Sequence, residues 1–404
     1  MSAVATLCGE PRADAAVADA IERCVRLLRD RLGARLVGLV LTGSFSRGEG
    51  TVVAVEGRLR VLGDVEFLVI LPRDRDHRAL RPALKAWGPE VSAALATHRV
   101  DVDVEFGSVD RAFLGRRARP SIFVYDLRTH GRVLWGPADL LSRIPRLDAS
   151  DIPREDAVHL LFNRAIEQLE AWDRLQTALA DEALLDVAYQ RIKLTLDVAG
   201  SALTFAGRHT TSYADRPRAF AALLADAPAL AARLPETFTR ELARAARAKL
   251  APSIQEVLPG GPAEARRTRL RANIAAGIPA LAAVLRWELG QLAGGDAPLP
   301  ALLEHWVDAQ PWRHRAREWV KLARHPLPAP RPLSARRAAV LAARSTPRAL
   351  VHAAGAAAYL TLTGDGPATG AAARLLPLAG PAPGGAADER AAITAFWRWG
   401  IRND

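Results

Sequence analysis

Cysteine is almost missing from this 404-residue chain: Cys8 and Cys24 are the only two. Two thiols supply neither a disulfide framework nor a cysteine-rich metal site, which suits a reducing compartment. The nine histidines contain no His-x-x-x-His pair, so no zinc site is expected. No Gly-x-x-x-x-Gly-Lys-Ser/Thr loop and no Gly-x-Ser-x-Gly elbow occurs. The first residues lack a basic stretch followed by an apolar run, and the longest nearly uncharged apolar stretch, 349–363, is too short and too rich in small residues to cross a bilayer. The expectation is a soluble, cytoplasmic protein with no transmembrane segment. Lysine is scarce as well, with four (Lys85, Lys193, Lys249, Lys321) among 55 basic residues.

What is present is half hydrophobic and one quarter charged, which excludes a disordered tail, a collagen and a coiled-coil rod. The net charge is +11, but residues 1–150 hold 23 basic against 19 acidic side chains. Residues 319–364 hold seven basic residues and no acid, so the excess is local. A protein gripping nucleic acid along a groove would spread its charge over the working face. A nucleic-acid partner is therefore not favoured, and 319–364 reads as a solvated helical face.

The texture changes near residue 150. Before it, β-branched runs at 36–41, 65–71, 99–106 and 131–135 alternate with helix-period segments at 13–32 and 76–96. That alternation predicts an α/β domain over 1–150. After it come leucine- and alanine-rich segments at 153–180, 182–207, 216–250, 265–293, 299–323 and 333–361, broken by proline or glycine. They predict a helical domain over 151–325 and a basic helical extension over 326–404. The nine tryptophans read as packing.

Chemistry concentrates in LTGSFSRGEG (41–50), LGDVEFLVI (62–70) and RVDVDVEFG (99–107). After a strand, Gly43 would let a phosphate approach the backbone and Ser44 would offer an amide and a hydroxyl. Gly48 and Gly50 are expected to keep the loop open, and Arg47 to grip phosphate. Asp64 and Glu66 alternate with Val65, Phe67 and Val69, so both acids share one face of an interior strand. Paired carboxylates there repel and lose hydration unless a cation neutralises them, and Mg²⁺ suits such oxygen ligands. Asp101, Asp103 and Glu105 share one face of the next strand, where alternation with charge is also ordinary for a solvated edge. One of these three beside Asp64 and Glu66 would complete a cluster able to hold one or two metal ions for phosphoryl displacement.

This order of motifs resembles the DNA polymerase beta-like nucleotidyltransferase superfamily, and its Asp-x-Glu form is similar to the aminoglycoside nucleotidyltransferases. The match covers about residues 30–140: Gly43-Ser44, Asp64-Val65-Glu66 and, as third acid, Asp103. The resemblance implies an α+β mixed-sheet domain followed by an all-α helical bundle, two Mg²⁺ ions, a nucleoside triphosphate (NTP) co-substrate and an acceptor hydroxyl attacking the α-phosphorus. One departure is the spacing from Ser44 to Asp64, longer than usual for the family. The extra residues read as a small hairpin turning at Glu56-Gly57-Arg58. A nucleotide-binding protein without turnover, or an RNA- or DNA-directed transferase, are the alternatives.

In the helical part, Tyr189, Lys193, Asp197 and Ser201 form a stripe at four-residue spacing. Lys193 reads either as a secondary phosphate contact or as half of a surface pair with Asp197. The following HTTSYADRPR (209–218) offers Ser212, Tyr213 and Arg216 as substrate contacts or as a helix cap.

Overall fold

The computed structural model describes residues 8, 10, 12–115, 117–177, 180–258, 260–325, 329–330, 334–362, 375 and 385–402. The chain forms two compact units. One comprises Met1–Asp156, Ala206–Ala219 and Leu242–Leu258; the other comprises Ala157–Phe205, Phe220–Glu241 and Pro259–Asp404.

The first unit is built on a five-stranded mixed sheet: β1 (Gly38–Leu41), β2 (Val52–Val55), β3 (Arg58–Leu71), β4 (Val100–Asp110) and β5 (Arg132–Trp135). The long β3 is central. β4 runs parallel along one edge, while β2 and then β1 occupy the other edge antiparallel to it, with β5 beyond β1. The expected hairpin is present: Val55 pairs with Arg58, and Glu56 and Gly57 have φ of 48° and 77°. Both values lie in the left-handed region that two-residue hairpin turns require.

The β3–β4 register breaks once. Arg60 pairs with Asp101 but Asp64 with Asp103, so residues 61–63 bulge opposite Val102, with Gly63 at φ 105°. Beyond the bulge the ladder runs unbroken from Asp64 to Leu71.

Each sheet face buries its own core. Helices α1 (Ala13–Leu32) and α3 (Asp74–Ala96) cover one, where Ile21, Cys24, Leu28, Leu84 and Val91 pack with Leu39, Leu41, Val65, Phe67 and Val69. Each such aliphatic or aromatic side chain contributes about 1.5–3 kcal/mol on burial. Helix α3 comes so close to β4 that a Cβ at Gly88 would lie 2.2 Å from the Val104 carbonyl oxygen. Burial pushes the Cys24 thiol up to about 12, leaving it a core group rather than a nucleophile. On the opposite face, Val40, Leu68 and Ile70 pack with Val124 and Leu127 of α4 (Ile122–His130). Since side chains alternate along a strand, Asp64 and Glu66 share this second face, past the end of its core.

The second unit is helical, built mainly from α5 (Arg154–Arg174), α6 (Asp181–Phe205), and further helices at Ala263–Ala275, Ile278–Ala293, Leu299–Asp308, Trp312–Ala323, Ala335–Arg344, Pro347–Leu360 and Ala386–Gly400. Several segments that read as single helices are in fact pairs. The break within 265–293 falls at Ala276-Gly277 before Pro279, within 299–323 at Pro311, and within 333–361 before Pro347. Proline in a first turn starts a helix, because the N–H it lacks would have had no partner there. In the same way 216–250 divides into Arg216–Asp226, Pro228–Ala231 and Phe238–Leu250. The stretch 376–384 and Arg331, part of the expected extension, lie outside the described residues.

Two buried polar groups mark this helical core. Ser201 Oγ lies 2.8 Å from the Ala157 carbonyl oxygen and 2.6 Å from Glu288 Oε1. The serine hydroxyl, with its single proton, is shared between these two acceptors. Burial pushes the Glu288 pKa up to about 8, against the lowering effect of the Ser201 hydrogen bond. His352 is fully buried, neither ring nitrogen has a hydrogen-bond partner among the described residues, and its ring meets His159 edge-on and Phe162 at a tilt. Trp397 and Trp306 are buried as expected, whereas Trp312 is 70% exposed.

Candidate active site

Strand β1 ends at Leu41, and the chain turns into a one-turn helix, α2 (Gly43–Ser46). The Thr42 amide still donates to the Glu66 carbonyl oxygen at 2.9 Å, which places the turn beside the acid pair. Gly43 has φ 67°, and a Cβ there would stand 2.5 Å from Glu66 Oε2. Only glycine satisfies both the left-handed backbone and the carboxylate pressed against it. Ser44 takes the next position, its carbonyl oxygen accepting from the amides of Arg47 at 3.2 Å and Glu49 at 2.9 Å. The loop is closed rather than open: a Cβ on Gly50 would fall 2.1 Å from the buried Phe45 ring, so Gly50 is the residue that lets the loop fold back.

The acids meet across the parallel ladder. Asp103 stands beside Asp64 and Glu105 beside Glu66, and residues paired side by side in a sheet point to one face. Asp64 and Glu66 are half-buried on the interior strand, while Asp103 and Glu105 are exposed on the edge strand β4. Asp101 is placed differently. Arg58 grips both its carboxylate oxygens, at 2.9 and 2.6 Å, and these bonds hold its pKa below the usual carboxylate range. Four carboxylates thus stand on one face of two adjacent strands. Among the described residues no three His, Cys, Asp or Glu side chains converge as a ligand group.

Arg47 turns inward. Its side chain is 8% exposed, and its guanidinium donates to Glu49 Oε2 and Asp126 Oδ2, both at 3.4 Å, with the Tyr213 ring at 5.3 Å. Burial opposes its charge, yet Tyr213, Asp126 and Glu49 together hold its pKa above the ordinary value. His209 Nε2 lies 3.1 Å from Asp126 Oδ1, and His130 Nε2 lies 2.8 Å from Thr211 Oγ1. Burial, then the charge of Arg47, lowers the His130 pKa.

Glu49, Asp126, His209 and Lys249 are residues that sequence reasoning missed. A lone acid between two glycines and one of four lysines were the available signals. Ser212 serves in two ways: its hydroxyl donates to Glu49 Oε1 at 2.8 Å and accepts from the Asp215 amide at 3.4 Å as a cap.

Lys193 sits on α6 of the second unit, where its charge, after that of Arg164, lowers the Glu167 pKa against the effect of burial. Asp197, the partner in the alternative surface-pair reading, is buried and ion-paired to Arg164 at 2.5 Å. In the basic stretch, Arg344 pairs with Glu304 and Asp308, and Arg348 reaches Glu318 at 4.0 Å. No described helix is long and apolar enough to cross a membrane.

No family model matches the chain, and no curated protein matches it. Among solved structures it is similar to the spectinomycin adenyltransferase of Enterococcus faecialis, solved with ATP and spectinomycin. The identity is 13% and the TM-score 0.37, over 65% of this chain and 98% of that one.

Proposed function

We propose that the first unit transfers a nucleoside monophosphate from an NTP to an acceptor hydroxyl and releases pyrophosphate. The observation that carries this is the Glu66 carboxylate seated against a left-handed Gly43, with Asp64/Asp103 and Glu66/Glu105 side by side on one sheet face. A phosphate chain laid on the Gly43-Ser44 turn would thereby be held next to the carboxylates.

In this reading Gly43 admits the triphosphate to the backbone, and Ser44 supplies its amide and hydroxyl. Asp64, Glu66 and Asp103, which share one sheet face without converging as a ligand group among the described residues, would have to draw together to hold Mg²⁺, which when bound neutralises the triphosphate charge. The acceptor oxygen forms a bond to the α-phosphorus, the bond from that phosphorus to the oxygen bridging to the β-phosphate breaks, and the acceptor proton passes to a carboxylate of β4. Arg47 holds the loop from beneath rather than gripping the phosphate.

Pyrophosphate release from a panel of NTPs with Mg²⁺, with cell extract as the source of acceptors, tests the proposal. A second reading is a nucleotide-binding protein without turnover, favoured by the lack of three converging acids among the described residues. It predicts NTP binding and no pyrophosphate with any acceptor. An oligonucleotide-directed transferase would bind DNA or RNA with a steep salt dependence, weakened by changing Arg336 and Arg337.

A further inference from the structure

We propose that Glu49 is a positioning residue for the nucleotide turn, fixing Ser44 through a buried latch; this rests on the nucleotidyl-transfer reading. Glu49 is 6% exposed. Its carboxylate accepts from Arg47 Nε at 3.4 Å, from Ser212 Oγ at 2.8 Å and from the Tyr213 amide at 3.1 and 3.2 Å. Its own amide donates to Ser44 O, and its carbonyl oxygen accepts from Lys249 Nζ at 3.0 Å. Lys249, 3% exposed, also donates to Thr51 Oγ1 at 2.7 Å, while Thr51 Oγ1 lies 2.9 Å from the Lys249 carbonyl oxygen.

One residue thus ties the loop after the Gly-Ser turn to segment 209–216 and to Lys249, all within the first unit. Around the Tyr213 ring stand Arg47 at 5.3 Å, Arg216 at 4.6 Å and Lys249 at 5.0 Å. Buried charges arranged this way are weak devices for stability, since desolvation offsets most of their attraction. They are strong devices for holding one geometry. The loop they hold contains a single helical turn and three glycines, and besides this latch it is anchored by the buried Phe45 ring.

Ser44 faces the triphosphate equally before and during transfer, so loosening it removes uniform binding and should raise KM while sparing kcat. Full-length Glu49→Gln keeps the acceptor oxygen for Ser212 and Tyr213 but removes the charge opposite Arg47. Ser212→Ala removes one donor. If Glu49→Ala does not fold, these two carry the test. The expected result is a rise of about tenfold in Kd and KM for the Mg-nucleotide in Glu49→Gln, about threefold in Ser212→Ala, and kcat within twofold in both, each normalised to folded protein. Equal nucleotide Kd in wild type and Glu49→Gln, with the wild type active, overturns the latch alone. A fall in kcat with unchanged KM also overturns it. A wild type that binds none of the NTPs overturns the latch together with the transfer reading.

Discussion

Replacing Gly43 with alanine should separate activity from stability. The new Cβ meets two obstacles: a φ of 67°, and Glu66 Oε2 at 2.5 Å. Holding a non-glycine residue in the left-handed region costs about 1–2 kcal/mol. In a unit of this size that is a melting-temperature loss of about 2–8 °C. The carboxylate is the far end of a flexible side chain, so it yields instead of unfolding the sheet. To restore an ordinary contact of about 3.5 Å it must retreat by about 1 Å. Misplacing a catalytic group by that much lowers a rate by roughly a hundredfold, or about 2.7 kcal/mol of activation free energy. The assay pairs thermal melts with pyrophosphate release per folded molecule. A Gly43→Ala variant that loses activity only in proportion to its unfolded fraction would show that the Gly43–Glu66 contact has no part in catalysis.

Three other perturbations reach different parts of the chain. Asp64→Asn removes a repulsive charge and no packing group, so turnover should vanish while the melting temperature stays level or rises; either full activity or an unfolded variant would contradict the role assigned to it. Glu288 has a folded pKa of about 8, above its unfolded value of about 4.3, so the folded state binds the extra proton and stability falls as pH rises between those values. Glu288→Gln keeps an acceptor toward Ser201 and should gain on the wild type by about 1.4 kcal/mol per pH unit from 5 to 8 in denaturant midpoints; a constant difference refutes the protonated carboxyl. Burial, then Arg348, holds His159 at about 4, and burial, then His159 and Arg348, pushes His352 well below its ordinary value. Their stability is complete above about pH 6.5 and is lost as pH falls toward 4, by about 3 kcal/mol from His159 alone. His352→Phe should flatten that acid limb, and an unaltered limb would show that the ring is not a source of it.

Strand periodicity made most of the first unit legible. Helices over 13–32 and 76–96 appear as Ala13–Leu32 and Asp74–Ala96, and the acid pair does lie on an interior strand with alternating apolar partners. The hairpin at Glu56-Gly57 was readable because few residue pairs suit two left-handed positions in succession. What could not be read was anything set by pairing between distant segments. Which acid of β4 stands beside Asp64 depends on the bulge at 61–63; Gly63 hints at a bulge there, but a glycine alone does not give its size or the register it leaves. That Arg47 turns toward Asp126 and Tyr213 could not be read either, because both partners lie far away in sequence. In the helical unit, leucine and alanine keep their period through a break, so only the prolines at 279, 311 and 347 showed where one helix becomes two.

The bulge in β3 also restricts how this protein can change length. From Arg60 to Asp64 the strand advances four residues while its neighbour advances two, so the surplus is an even number and the inside-outside phase survives. Dropping one residue from 61–63 would make the surplus odd. Asp64 and Glu66 would then swing beneath α1 and α3, and Val65 and Phe67 would replace them on the opposite side. Natural or engineered variants of this strand should therefore gain or lose residues there two at a time.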